Sequence, residues 1–112
     1  MAFAFAYLRK PAKIPAMRPS VALAAKREEV LAIAAAHGAS NLRVFGSVAR
    51  GLDTDGSDLD LLVDIRPDIS LFQYVGLQLD IAEALGVKVD LCTEDELHPR
   101  LKERILAEVR PL

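Results

Sequence analysis

The chain has 112 residues, with 14 Lys and Arg against 16 Asp and Glu and a formal net charge of −2. That length supports one domain around one core, and the charge balance offers no basic face of the kind that DNA or RNA binding requires. No apolar run reaches the ~20 residues of a membrane span, and a lone cysteine, Cys92, excludes an internal disulfide framework, so a cytoplasmic protein is expected.

Residues 1–19 carry Pro11, Pro15 and Pro19 without a clear period. Prolines at that density disfavour both helix and strand ladder, so a flexible N-terminal arm is expected there. Its opening, Met1 to Leu8, is apolar, but the charges follow it, the reverse of a secretory signal. The folded domain is expected over residues 20–112.

Ser20 can cap a helix from about Val21 to His37, with Gly38 as its stop. Leu23, Val30, Ile33 and His37 fall near one face, and six alanines raise helix propensity. Leu42 to Phe45 reads as a strand that Gly46 breaks. Ser47 to Arg50 can form one helical turn, closed by Gly51. Leu52 to Ser57 is a polar turn. Leu59 to Ile65 reads as a second strand, ended by Pro67. Ser70 caps a helix over about Leu71 to Leu85, whose buried stripe is expected to be Leu71, Val75, Leu79, Ala82 and Leu85, with Gly86 as its stop. Val87 to Cys92 is a third strand. Thr93 to Glu96 has capping-box spacing, and Pro99 opens a last helix through about Val109. The expected fold is α/β (α+β), a small mixed sheet of three or more strands with helices packed mainly on one face. Only about a dozen residues join the first two strands, the lower limit for a parallel crossover.

The chemistry concentrates in two places. In Ser57-Asp58-Leu59-Asp60-Leu61 the two acids alternate with leucines, so both project from one face of a strand while the leucines anchor the other. Paired carboxylates repel, and a divalent cation would compensate them. Mg²⁺ favours oxygen ligands, commonly carboxylates plus substrate phosphates. Asp90 sits likewise between Val89 and Leu91, and a neighbouring third strand would bring it to the pair. It could also accept a proton from an attacking hydroxyl.

In Gly46-Ser47-Val48-Ala49-Arg50-Gly51, glycine lets the backbone approach a phosphate, and the turn's amides and the Ser47 hydroxyl can donate to it. Arg50 either adds positive charge there or pairs with Asp53 or Asp55. Ser57 is expected to shape the turn before Asp58. Asp53, Asp55, Asp64 and Asp68 read as solvated acids, and Cys92 as a small buried hydrophobe.

These residues, Gly46-Ser47-x-Ala49-Arg50-Gly51, Ser57-Asp58-x-Asp60-Leu61 and the isolated Asp90, resemble a minimal nucleotidyltransferase domain of the polymerase-β-like superfamily over roughly residues 20–112. The resemblance implies a nucleoside triphosphate donor, ATP, and one or two Mg²⁺ ions held by Asp58, Asp60 and Asp90. Those three are then the catalytic acids, with Gly46, Ser47, Arg50 and Ser57 on the nucleotide. Small members resemble antitoxins that transfer AMP to a tyrosine of a HEPN-type ribonuclease toxin, which implies a protein partner in a homo- or hetero-oligomer. Larger relatives that modify aminoglycosides carry a further domain for which this chain has no room. A binding antitoxin that acts by occlusion is the rival expectation. A phosphatase with an Asp-x-Asp pair is weaker, because no fitting lysine motif follows.

Overall fold

A computed structural model describes residues 17–112; of the flexible arm expected over residues 1–19, residues 1–16 lie outside them, while Arg18 and Pro19 belong to the folded domain, as the cap and first residue of a helix. The elements run in the order α1 (Pro19–Ala25), α2 (Arg27–Ala36), β1 (Ala39–Phe45), α3 (Gly46–Ala49), β2 (Leu59–Ile65), α4 (Leu71–Leu85), β3 (Val89–Cys92), a 3-10 turn (Glu94–Glu96), α5 (Pro99–Glu108) and β4 (Arg110–Pro111). The strands form one mixed sheet in the order β3-β2-β1-β4. β1 and β2 are antiparallel, so the short polar connection between them suffices. β2 and β3 are parallel, and α4 supplies the crossover their direction demands.

β2 lies inside the sheet and carries its strongest apolar alternation. Leu59, Leu61 and Val63 are fully buried and join Val30 and Ala34 of α2 and Leu77, Ile81 and Leu85 of α4 in one core cluster. Each of the Leu, Ile and Val side chains contributes about 1.5–3 kcal/mol on leaving water. The opposite alternation puts Asp60 and Asp64 on the other side of the strand.

α4 starts and stops as its sequence dictates. The Ser70 hydroxyl accepts the Gln73 N–H at 3.1 Å while the Gln73 side chain accepts the Ser70 N–H at 2.9 Å, and Gly86 ends the helix in the left-handed region at φ 70°. Its buried stripe matches expectation only at its end, where Leu85 is buried and Ala82 packs against the core. Leu77, Ile81 and Leu85 face the core, whereas Leu71, Phe72, Val75 and Leu79 are exposed, the first two at 75% and 91%. The helix carries two apolar stripes, and tertiary packing chose the one that includes Leu77 and Ile81.

The helix expected over residues 21–37 is two helices. They meet at Lys26, whose φ of −124° and ψ of 25° leave the helical region. Ser20 is not the cap. Arg18 holds that position without a side-chain bond to the helix's own amides, Pro19 begins the helix and is buried, and the Ser20 N–H donates to Asp53 Oδ2 at 2.9 Å. A carboxylate from a distant turn thus serves the orphan amide that a local cap would have taken.

Asp53 is therefore not a solvated acid. It is 4% exposed, and its Oδ1 pairs with Arg18 at 3.3 Å. Burial pushes its carboxyl up, but hydrogen bonds from Ser20 and the Arg18 guanidinium outweigh that and hold it below the ordinary carboxylate value. Asp64 is exposed yet also engaged: Arg43, nearly buried on β1, bonds to it at 2.8 Å and to Glu94 at 3.2 Å.

Candidate active site

The parallel register of β2 and β3 places Asp60 directly opposite Asp90. Asp58 lies just before β2, so it approaches the pair from the turn rather than from the strand itself. Its Oδ2 stands 3.8 Å from Lys88 Nζ, a cation one strand away that its own strand does not supply. Asp60 is pushed up to about 6. Burial is the largest cause, followed by the charges of Asp90 and Asp58, with Arg50 pulling the other way, and the Asp90 side chain is close enough to share a hydrogen bond.

Gly46 closes the site on its other side. Phe45 is the β1 residue paired with Asp60, so the chain leaves the strand right beside that carboxylate. Gly46 turns with φ of 71°, in the left-handed region, and a β-carbon there would collide with Asp60 Oδ2. Both requirements select glycine. Gly46 and Ser47 open the single turn of α3, whose end is fixed by Gly51 N–H to Val48 O and Leu52 N–H to Ser47 O.

Arg50 pairs neither with Asp53 nor with Asp55. Its Nη1 lies 3.2 Å from Glu108 Oε2, and Glu108 Oε1 also accepts the Gly46 N–H at 3.1 Å. Asp53 is already engaged by Arg18 and Ser20, which is why that option closed. Ser57 has the turn-shaping place expected of it: its hydroxyl accepts the Thr54 N–H at 2.8 Å, just ahead of Asp58. The Cys92 thiol, half-buried beneath the acids, is pushed up to about 11, first by burial and then by Glu96, Asp60 and Asp90. That keeps it a thiol at neutral pH and a poor nucleophile.

Three neighbouring carboxylates, hard oxygen donors that Lys88 and Arg50 offset only from the side, fit a divalent cation such as Mg²⁺. Among the described residues, however, no three acidic, histidine or cysteine side chains are gathered tightly enough to hold a metal as they stand. Sequence reasoning missed Glu108 and the Lys88 pairing. Glu108 lies 62 residues from Gly46, and no local pattern signals such a contact.

A mixed sheet carrying abreast acids on two strands, beside a glycine turn that leaves a third, defines a protein built for chemistry on a phosphate-linked group. The nucleotidyltransferase domain family matches residues 27–112, and the chain belongs to it as a nucleotidyltransferase of the minimal type. A candidate protein adenylyltransferase of Methanocaldococcus jannaschii is 38% identical over 82 residues, covering 73% of this chain and 88% of that one. The protein adenylyltransferase MntA of Thermococcus cleftensis is 33% identical over 90 residues, covering 73% and 91%. Among solved structures, a candidate minimal nucleotidyltransferase superposes with a TM-score of 0.74 at 47% identity, covering 83% of this chain and 95% of that one. A toxin–antitoxin complex with AMP-PNP shares the fold at a TM-score of 0.64 and 19% identity, covering 75% and 69%.

Proposed function

We propose that the chain transfers AMP from ATP, with Mg²⁺, to a hydroxyl of a HEPN-type toxin, a tyrosine's, and thereby acts as its antitoxin. The observation that carries this reading is the pairing of Asp60 with Asp90 in register, with Gly46 packed against Asp60. The names of the relatives support it: protein adenylyltransferases by sequence, and toxin–antitoxin complexes by fold. The exposed apolar side chains of α4 also fit a protein that works with a partner.

In this reading Asp58, Asp60 and Asp90 hold the metal, and Lys88 gives up Asp58 when it arrives. Bound Mg²⁺ would offset the negative charge that builds on the phosphates during transfer. Gly46 and Ser47 offer amides and a hydroxyl to the phosphates, Arg50 adds positive charge, and Ser57 keeps the turn before Asp58 in shape. The acceptor oxygen attacks the α-phosphorus. A bond forms between that oxygen and phosphorus, the bond from phosphorus to the bridging oxygen breaks, and pyrophosphate leaves with the electron pair. The hydroxyl proton passes to Asp90. A free tyrosine hydroxyl has a pKa near 10, so such a base is needed near neutral pH. The partner supplies the acceptor and the wall of the site that this short chain does not build.

The test is to incubate the protein with ATP, Mg²⁺ and its HEPN-type toxin partner, then weigh the partner intact. A gain of one AMP on a tyrosine is expected, and none with Asp58→Asn plus Asp60→Asn. An unchanged partner mass would sink the reading. Full protection of cells by the double variant would instead favour neutralisation by occlusion.

A further inference from the structure

The carboxylate of Glu108 sits on the donors of the glycine–serine turn. Its Oε1 accepts the Gly46 N–H at 3.1 Å and lies 3.5 Å from Arg50 Nη1, and its Oε2 lies 3.2 Å from the same nitrogen. One carboxylate therefore holds both the leading amide of the turn and the turn's only guanidinium. Its side chain is 21% exposed, so it is largely out of water, and these two donors compensate that burial. The end of α5 does not call for the contact: the helix is already closed by the Val109 N–H bonding to Ile105 O.

We propose that Glu108 is an internal stand-in for a phosphate: in the nucleotide-free chain its carboxylate occupies the donors that the triphosphate takes, and nucleotide binding must displace it. The inference rests on the reading of Gly46, Ser47 and Arg50 as the phosphate turn. Glu108 cannot retreat by moving its backbone. Helix α5 fixes it on one side, and on the other β4 pairs with β1 through Arg43 with Pro111 and Val44 with Arg110. Rotation of the side chain is the route left. Arg50, 48% exposed, is free to exchange one anion for another, and a guanidinium binds phosphate as readily as carboxylate. Glu108 thus lowers nucleotide affinity and keeps the turn assembled until nucleotide arrives.

Calorimetric titration of the full chain with MgATP tests this, using wild type, Glu108→Gln and Glu108→Ala, each checked for folding by thermal melt. Glutamine keeps an acceptor for the Gly46 N–H and removes the charge; alanine removes both. Each folded variant is expected to bind MgATP about three- to fivefold more tightly, the scale of one screened charge interaction, with the gain shrinking as KCl rises. A folded variant that binds no more tightly than a wild type with measurable affinity overturns this inference alone. A wild type with no affinity for MgATP removes the nucleotidyl-transfer reading and this inference with it.

Discussion

Gly46 and Asp60 fit together only because Gly46 has no β-carbon: its left-handed turn aims that position straight at Asp60 Oδ2. Gly46→Ala should therefore cost stability twice, through the backbone conformation, about 1–2 kcal/mol, and through displacement of Asp60 or the turn. The displacement should also slow transfer at least about 100-fold, since a misplacement on the order of 1 Å costs that much. Urea unfolding and a single-turnover transfer assay read the two losses separately.

Asp60→Asn should separate function from stability. The Asp60 carboxyl is raised to about 6, first by burial and then by Asp90 and Asp58. A group whose folded value lies above its unfolded one contributes stability below the unfolded value, here 3.8, and loses it as pH rises through about 6. In metal-free buffer the variant should thus match wild type near pH 4 and exceed it by about 1 kcal/mol at pH 8, after discounting for solvent screening of a half-exposed group. Transfer should fall by at least about 100-fold. Melting curves across that pH range, with a chelator present, decide the stability half.

Asp53 behaves in the opposite sense. Despite burial, Ser20 and Arg18 hold its carboxyl below 3.8. Its contribution is fully present above the unfolded value and is lost as pH falls through the lowered folded one. Asp53→Ala should destabilise the protein by about 1–3 kcal/mol at pH 7, because it strands the Ser20 amide and Arg18. The gap should narrow as pH falls below 3.8 and through the lowered folded value. A gap that widens on acidification would contradict the assignment.

Lys88 and Asp58 stand 3.8 Å apart, with their side chains 74% and 40% exposed. Such a pair adds little, so Lys88→Met should move stability by less than about 0.5 kcal/mol. It should instead lower the Mg²⁺ concentration for half-maximal transfer by about two- to threefold, because Asp58 no longer has a competing cation. A Mg²⁺ titration of the transfer rate reads this directly.

Local signals in the chain carried most of the architecture and the acids at its centre. Ser70 and Gly86 bracket α4, the alternation from Leu59 to Ile65 is β2, and Asp90 lands beside Asp60 because β3 pairs next to β2. What stayed hidden depends on contacts between distant segments. Nothing near Asp53 announces that Ser20, 33 positions away, will claim its carboxylate, and nothing near Glu108 announces Gly46. The face of α4 was ambiguous because Leu71, Val75 and Leu79 repeat at the same helical spacing as Leu77, Ile81 and Leu85. The break at Lys26 has no glycine or proline to mark it. β4 is two residues long and falls below any periodicity signal.

The position of a radioactive label tests the central claim most directly. The protein, Mg²⁺ and the partner are incubated with ATP labelled on its α-phosphorus and, separately, on its γ-phosphorus. The account predicts label on the partner from the α-phosphorus alone, abolished when Asp60 and Asp90 are both replaced by Asn, with the γ label released in pyrophosphate. Label arriving from the γ-phosphorus, or α label that persists in the Asp60→Asn, Asp90→Asn variant, would contradict it.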